Sequence, residues 1–195
     1  MLQIEDNSLI TAIVAVDSKN GIAKDGKIPW KSKADMKFFR EQTTGNIIIM
    51  GSTTLLSLPN AMPLPNRINI VLTRTPEKYT CYPKYSQLDN IFFWEEETVL
   101  EFLAIKKLEN KFLIKAEHGQ TKNKKIFVIG GKQIYNLLLR FCHSVLVTKI
   151  KGDYNCDLQL DCLDTIGAEM NCKSCYEDDE LQIIQWSRSS LQHCL

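Results

Sequence analysis

Five short runs of apolar, mostly β-branched residues recur along this chain and limit what it can fold into. They lie at residues 9–16, 46–50, 68–73, 125–129 and 144–150. None of them approaches the roughly 20 residues that a membrane span needs. A continuous apolar run of this length is typical of a strand that is buried on both faces, as in a parallel sheet covered by helices.

Stretches with helical spacing alternate with these runs. The best defined covers residues 32–42, where Ser32 has the character of an N-cap, Asp35 falls at the third helical position and Gly45 ends the helix. Further helices are predicted at 52–57, 98–110 and 133–141. Residues 75–88 are predicted to form a loop, and the basic stretch 115–125 is predicted to be a solvated loop.

Two weaker patterns complete the predicted architecture. Residues 91–94 favour a short strand, and residues 180–186 alternate apolar and polar side chains as an edge or antiparallel strand does. The sequence therefore predicts an α/β fold. It has a central, mostly parallel mixed sheet of about eight strands flanked by helices, with an antiparallel carboxyl-terminal strand.

Length and charge limit the number of domains and the kinds of partner that are expected for this chain. A chain of 195 residues is expected to form one domain, spanning residues 1–195 with its core in 9–188. Charged residues make up 24 % of the chain and the net charge is +1. That balance gives no electrostatic footprint for nucleic acid or for an anionic membrane.

The cysteines and the amino end indicate a reducing compartment. The first residues lack the basic segment and long apolar run of a secretion signal, and the seven cysteines are scattered. Free thiols, and hence a cytoplasmic location, are expected. Cys172 and Cys175 have the spacing of metal ligands, but no second pair completes a tetrahedral set, so no metal site is predicted.

One acidic residue stands at the start of the first helix, behind a glycine-containing loop. The loop covers residues 21–30 and ends in a Pro-Trp pair, and Asp35 follows five residues after Trp30. Trp30, Met36 and Phe39 would wall a site in which the carboxylate is partly desolvated, which raises its pKa. Alternatively, Asp35 only stabilises the positive end of the helix, and taken alone this segment favours that simpler interpretation.

Three strand ends carry groups suited to phosphate. Gly130 and Gly131 lie between a predicted strand and a helix, and Gly51 precedes a polar helix start at residues 52–54. Thr73 and Arg74 follow another strand and supply a hydroxyl and a guanidinium. Each of these signals is weak alone, because a Gly-Gly pair is more often only a tight turn.

In their joint order, these features resemble dihydrofolate reductase. The resemblance runs from about residue 9 to 157, and more loosely to 188. It rests on the following elements: the strand at 12–16, Gly21, Pro29-Trp30, Asp35, Met50-Gly51, Pro63-Leu64-Pro65 with Arg67, Thr73-Arg74, Gly130-Gly131 and Thr148. The implied activity is the NADPH-dependent reduction of 7,8-dihydrofolate to 5,6,7,8-tetrahydrofolate, in support of one-carbon metabolism and thymidylate synthesis. A monomer is expected, and no synthase domain is expected after Leu195.

The resemblance implies a set of substrate-binding residues. Asp35 would hydrogen-bond the pterin and promote protonation at N5 through water, and Trp30 would shape the pocket and hold that water. Arg67 would pair with the α-carboxylate of the glutamate tail, and Thr148 would orient Asp35. The remaining implied pterin contacts are Ile13, through its carbonyl, together with Met36, Phe39 and Ile129.

The resemblance likewise implies residues that hold NADPH. The nicotinamide would lie near Ala15, Gly21, Ile22 and Tyr135. Thr53, Thr54 and the backbone after Gly130 would hold the pyrophosphate, and Thr73 with Arg74 would face the 2′-phosphate. The remaining implied cofactor contacts are Gly51, Leu72, Gly131, Lys132, Gln133 and Ile134.

The chain departs from the family pattern at a few positions. Ser52 stands where a basic residue is usual, and Leu55 replaces a common tryptophan. Asp157 matches the family, but Leu158 replaces the threonine that usually follows it. No function is assigned to residues 111–125 or to the tail after Arg188.

Three other functions are compatible with parts of the pattern. A pyrimidine reductase of the riboflavin pathway shares the fold but would not require Asp35 after a Pro-Trp loop. A non-catalytic folate- or nucleotide-binding module could have lost activity through changes such as Ser52 and Leu158. A plain scaffold would carry the motifs by coincidence.

Overall fold

A computed structural model describes residues 10–109 and 124–188 of the chain, with only the backbone of residues 105–109. The predicted loop at 115–125 therefore lies outside the described residues, apart from its last two positions. Asn110, the predicted end of a helix, lies outside them as well.

Eight strands form the main sheet, in the order β5-β4-β3-β6-β1-β7-β10-β9, and β2 and β8 form a separate two-stranded sheet. In chain order the strands are β1 (Ile10–Val16), β2 (Gly21–Ala23), β3 (Ile47–Gly51), β4 (Ile68–Leu72), β5 (Ile91–Trp94), β6 (Ile126–Gly130), β7 (Ser144–Ile150), β8 (Leu158–Gln159), β9 (Asn171–Glu177) and β10 (Leu181–Ser187). Strands β1, β3, β4, β5, β6 and β7 pair in parallel, and β10 is antiparallel to both β7 and β9. The predicted mostly parallel sheet with an antiparallel carboxyl end is confirmed.

Seven α-helices occur in the described residues. They are α1 (Lys33–Thr43), α2 (Ser52–Ser57), α3 (Pro76–Thr80), α4 (Pro83–Ser86), α5 (Glu96–Glu109), α6 (Lys132–Leu138) and α7 (Cys162–Glu169), with 3-10 turns at Pro59–Ala61 and Leu139–Phe141. Ser32 caps α1 as predicted, since its side chain accepts a hydrogen bond from the Asp35 backbone N–H. The helix predicted at 133–141 ends earlier and continues as the second 3-10 turn.

The core has two layers, one on each face of the sheet. Strand β1 shows why its sequence is almost entirely apolar: Ile10, Ala12, Val14 and Val16 pack into one cluster, whereas Ile13 packs into the other. Successive side chains of a strand point to opposite faces, so a strand covered on both sides has no position left for a polar side chain in contact with water.

The prediction of a loop at residues 75–88 is wrong. This stretch contains α3 and α4, and each begins with a proline, the residue that favours the first helical turn because it needs no N–H partner. Helices of five and four residues are too short to show a hydrophobic period in the sequence.

The sequence pattern also missed β8, α7 and β9. Strand β9 is an edge strand with mostly exposed side chains, so no apolar alternation marks it. Gly167 obscures the helical pattern of α7, but its small size suits the packing there, because a Cβ would lie 3.2 Å from the Trp186 ring, closer than an ordinary contact. Tertiary contacts therefore select residues that are poor secondary-structure signals.

We predict that Leu103→Ala lowers the free energy of unfolding by about 2–5 kcal/mol, because it leaves a cavity in the core. Leu103 on α5 is 0 % exposed. Leu56→Ala on α2 is a matched control, because Leu56 is 56 % exposed and its loss should change the free energy of unfolding by less than about 0.5 kcal/mol. Urea titrations of both variants measure the difference, and equal losses would contradict the packing described here.

Candidate active site

A cavity of about 2220 Å³ lies at the carboxyl ends of β1, β3, β4 and β6. Pockets for one small ligand usually enclose about 300–1,000 Å³, so this cavity can hold two small molecules together. Parallel strands end at the same edge of a sheet, and the loops that follow them supply its walls. The carboxyl edge of the sheet is therefore the candidate site.

Asp35 lies in this cavity at the start of α1, partly buried. The N-cap bond from its own N–H to the Ser32 hydroxyl, 3.1 Å long, fixes the backbone that carries the carboxylate. Burial raises the pKa of the Asp35 carboxyl, and the negative charge of Glu180 adds to the rise. A hydrogen bond with the Thr148 side chain opposes it. The arrangement keeps the carboxyl group oriented and favours its protonated form more than water does.

Apolar side chains wall the cavity around Asp35. Trp30 is 6 % exposed, and its ring meets Tyr154 edge-on with the centroids 5.5 Å apart. The Trp30 Nε1 is buried and has no hydrogen-bond partner among the described residues, so it can donate to a ligand or a water. Phe39 lies half-buried on the same wall, whereas Met36 is 59 % exposed at the opening.

A hydrogen bond across the sheet stabilises the wall of the cavity that Tyr135 forms. The Tyr135 hydroxyl donates to the Ile13 carbonyl over 2.7 Å, and burial raises the pKa of this phenol. Gly130 has φ +102°, and a Cβ there would lie 2.7 Å from the Tyr135 ring. Only glycine fits at this position, because it both tolerates the left-handed backbone and leaves room for the ring.

Arg67 is the fixed cation of the cavity. Its guanidinium donates to Thr43 Oγ1, to the Pro65 carbonyl and to Thr44 Oγ1, at 2.9, 2.6 and 3.2 Å. The residue is 8 % exposed, and burial, with the nearby charge of Arg40, lowers the pKa of the guanidinium. An arginine held in one orientation is suited to bidentate binding of a carboxylate.

The opposite end of the cavity is built from backbone and hydroxyl groups. A Cβ at Gly51 would lie 3.0 Å from Ile134 Cγ1, and one at Gly131 would lie 3.5 Å from Thr54 Oγ1. Gly51 thus lets the start of α2 approach α6 closely, whereas a Cβ at Gly131 would make only an ordinary contact. Lys132 also lines the cavity, but its ammonium already pairs with Asp161 at 2.7 Å.

Most of the residues predicted for the site line this one cavity. They are Ile13, Ala15, Ile22, Trp30, Asp35, Met36, Phe39, Gly51, Thr53, Thr54, Arg67, Leu72, Thr73, Arg74, Ile129, Gly131, Lys132, Gln133, Ile134 and Tyr135.

Three predicted residues lie behind the cavity wall. Thr148 is 1 % exposed on β7 and reaches the cavity only through Asp35. The Gly21 N–H donates to Asp17 Oδ1 at 2.8 Å, and Gly130 packs against Tyr135. Thr148 and Gly130 each contact a residue that lines the cavity, and Gly21 directly precedes another, Ile22.

Several cavity residues were missed by the sequence interpretation. Arg40 follows Met36 by four residues on α1, so the period of the helix could have placed it on the same side. Lys78 and Glu96 extend the wall near Thr73, where Lys78 N–H bonds the Thr75 carbonyl. No sequence signal distinguished Lys78 and Glu96 from ordinary exposed charges.

Leu158 does not prevent support of the 21–30 loop. Asp157 Oδ2 accepts from the Asp25 N–H at 2.7 Å, and the Asp157 N–H donates to the Ala23 carbonyl at 3.1 Å. Leu158 itself pairs with Ala23 and lines the cavity.

Comparisons with known proteins identify the family of this chain. A family model described as dihydrofolate reductase matches residues 9–192. The chain belongs to the dihydrofolate reductase family. The dihydrofolate reductase of Aedes albopictus is 32 % identical over 155 residues, which cover 74 % of this chain and 75 % of that protein.

Other members of the dihydrofolate reductase family differ in length. The bifunctional dihydrofolate reductase-thymidylate synthase of Daucus carota is 34 % identical over 163 residues, which are 78 % of this chain but 28 % of that protein. The chain thus spans little more than a quarter of such bifunctional relatives. The dihydrofolate reductase from Enterococcus faecalis, complexed with NADP(H) and RAB-propyl, shares the fold with a TM-score of 0.63 and 24 % identity, covering 93 % of this chain and 97 % of that one.

In residues 10–109 and 124–188, no helix combines the length and apolar character needed to cross a bilayer. Within the same ranges, no three His, Cys, Asp or Glu side chains gather into a metal-binding group.

We predict that Asp35→Asn raises the free energy of unfolding at pH 7. The folded protein raises the pKa of Asp35, so the ionised form is less stable there than in the unfolded chain. Stability is therefore lost as the pH rises from the ordinary pKa of 3.8 through the raised one, and an amide is free of this loss.

Urea titrations from pH 4 to 8 measure this difference, which should grow with pH. Asp89→Asn, on an exposed residue outside the cavity, is the control and should show no such trend. A less stable Asp35→Asn protein at every pH would mean that the carboxylate stabilises the fold.

Proposed function

We propose that this chain catalyses the NADPH-dependent reduction of 7,8-dihydrofolate to 5,6,7,8-tetrahydrofolate. The observation that carries the proposal is the single cavity, which joins a partly buried carboxyl with raised pKa to a fixed guanidinium at one end and a phosphate-type surface at the other. Dihydrofolate has the matching parts, namely a pterin with adjacent N–H and amino groups and a glutamate tail with carboxylates.

Asp35 binds the pterin and directs its protonation. A carboxylate accepts two parallel hydrogen bonds, and the pterin offers two donors side by side. Thr148 holds the carboxylate in the orientation that this pairing needs. A group with a raised pKa can also pass a proton toward N5, through a water for which the Trp30 Nε1 is a free donor.

The other cavity residues orient the substrate. Ile13, Phe39 and Ile129 bury the ring, with Met36 at the opening, and the Arg67 guanidinium takes the α-carboxylate of the tail. With both ends of the substrate held, the C=N bond of the pterin that is reduced faces the cofactor side of the cavity.

The residues at the far end fit NADPH. A Cβ at Gly51 would lie 3.0 Å from Ile134, so the start of α2 lies close to α6, and Thr53 and Thr54 line the cavity there. Their hydroxyls and the backbone N–H groups of a helix start are donors suited to the pyrophosphate. Thr73 and Arg74 supply a hydroxyl and a cation for the 2′-phosphate. When bound, NADPH supplies the hydride for the carbon of the C=N bond, while the nitrogen takes the proton.

The nicotinamide half of NADPH fits the middle of the cavity. Ala15, Ile22 and Tyr135 form an apolar surface there, and Leu72, Lys132, Gln133 and Ile134 line the path toward the phosphates. This surface excludes water from the reacting atoms.

Three finer expectations belong to the same proposal. The chain acts as one domain, as a monomer and in the cytoplasm, without binding nucleic acid. The net charge of +1 and the six described cysteines, all free thiols, support these expectations. Size-exclusion chromatography with light scattering measures the oligomeric state.

We predict that the purified protein consumes NADPH only after dihydrofolate is added, and that Asp35→Asn lowers kcat by about 100-fold or more at pH 7. Activity of the variant should recover partly at low pH, where the substrate is protonated in solution. Absorbance at 340 nm follows the reaction, and Asp89→Asn is the control. Turnover of a ribosylamino-pyrimidinone instead would favour a riboflavin-pathway reductase, and binding of both ligands without turnover would indicate an inactive module.

We also predict that Ser52→Arg tightens NADPH binding by about tenfold, because it adds a charge-assisted hydrogen bond at the start of α2. Fluorescence titration gives the dissociation constant. Ser86→Arg, on the exposed surface of α4, adds the same charge outside the cavity and should have little effect. An unchanged constant in Ser52→Arg would mean that another cation already serves this phosphate.

A further inference from the structure

A second aspartate, Asp17, is more deeply buried than Asp35 and takes no part in the proposed chemistry. It follows β1 directly and is 1 % exposed. Its Oδ1 accepts from the N–H groups of Lys19 and Gly21 at 2.9 and 2.8 Å, and its Oδ2 accepts from the Tyr154 N–H at 3.2 Å. Burial alone would raise the pKa of Asp17, but these bonds and one from Cys156 outweigh it, so the pKa is lower than usual.

One side of this carboxylate fixes the start of the 21–30 loop. Gly21 begins β2, and besides its bond to Oδ1 its carbonyl accepts from the Asp17 N–H at 2.9 Å. A Cβ at Gly21 would lie 2.4 Å from the Cys156 Cβ, so this segment is packed tightly against the chain that precedes β8. Ile22, the next residue, lines the cavity.

The other side of the carboxylate fixes the end of the same loop. The Tyr154 N–H bonds Oδ2, and the Tyr154 ring packs edge-on against Trp30, with the rings inclined at 66°. Trp30 closes the loop and lines the cavity beside Asp35. One carboxylate therefore contacts the supports of both loop ends, which are nine residues apart in the sequence.

We propose that Asp17 is a positioning residue that clamps both ends of the 21–30 loop, and that it thereby sets the affinity of the cavity for the nicotinamide half of the cofactor. The inference rests on the proposed function for the identity of the ligand. Ile22 and Trp30 reach the cavity, whereas Asp17 itself does not line it.

Asp17→Asn separates the two halves of the clamp. The amide oxygen can keep both bonds from Lys19 and Gly21, since these share Oδ1. The amide nitrogen then faces the Tyr154 N–H, and two donors oppose each other. The variant therefore keeps the turn after β1 but loses the link to Tyr154.

We expect Asp17→Asn to weaken NADPH binding by about tenfold, the effect of losing one buried hydrogen bond to a charged acceptor. Binding of adenosine 2′,5′-bisphosphate should change by less than about twofold, because that probe reaches only the end of the cavity near Thr73 and Arg74. Calorimetry gives both constants, and hydrogen exchange of the unliganded protein should show faster exchange at Tyr154 but not at Gly21. A general loss of stability would weaken both probes alike and would overturn the proposal.

Asp153→Asn is the matched control. Asp153 pairs with Lys19 at 2.7 Å and joins the same two segments, but on the exposed surface, where an ion pair contributes little. This variant should bind both probes as the wild type does. An effect equal to that of Asp17→Asn would assign the clamp to the surface pair and overturn the proposal.

A second variant covers the case in which Asp17→Asn does not fold. Tyr154→Leu keeps the N–H bond to Asp17 but removes the ring from Trp30, and it should also weaken NADPH about tenfold while sparing adenosine 2′,5′-bisphosphate. Unchanged NADPH binding in a folded Asp17→Asn protein would contradict this inference and leave the proposed function intact. The same holds for Tyr154→Leu if that is the variant that folds. A wild type that neither binds NADPH nor reduces dihydrofolate would instead sink the proposed function, while the exchange measurement would still test the clamp.

Discussion

Burial of the parallel strands on both faces is the constraint on which the rest of this structure depends. Strand β1 contributes side chains to both core clusters, and β7, its neighbour, is buried at six of its seven positions. A strand in this setting can carry reactive groups only where it ends, because a polar side chain on either face would lose its contact with water. The chemistry therefore collects at the carboxyl edge, where Gly51 ends β3, and Thr73 and Gly131 follow the neighbouring strands β4 and β6.

Asp17 and Asp35 show how neighbouring groups decide what a carboxyl removed from water does. Desolvation acts on both and raises the pKa. Asp17 meets several N–H donors that favour the ionised form, so its pKa falls and it serves as a fixed acceptor. Asp35 has the Thr148 side chain as a hydrogen-bond partner, but burial and the charge of Glu180 outweigh that bond, so the pKa of Asp35 rises and it can exchange a proton. Position in the secondary structure alone does not separate these roles, since Asp17 directly follows β1 and Asp35 lies in the first turn of α1.

Contacts between distant parts of the chain assemble the cavity. The Tyr135 hydroxyl reaches the Ile13 carbonyl, Thr148 reaches Asp35, and Tyr154 joins Asp17 to Trp30. Glycines permit these approaches where a side chain would collide, most clearly at Gly130 beneath Tyr135. The cavity is therefore a property of the packed sheet and its loops, and no single segment contains it.

The sequence by itself determined the strands at 10–16, 47–51, 68–72, 126–130 and 144–150 to within one residue, because burial between two layers leaves a continuous apolar run. The short apolar run at 91–94 also marked the edge strand β5, although that strand is partly exposed. It also determined the cap at Ser32 and the order of motifs around Asp35 and Gly130, because these depend on neighbouring residues along the chain. Only the tertiary structure decided that β9 pairs at the sheet edge, that Lys78 lines the cavity, and that Asp17 holds Tyr154. Those facts depend on contacts between residues far apart in sequence, and exposed or polar positions leave no periodic trace of such partners.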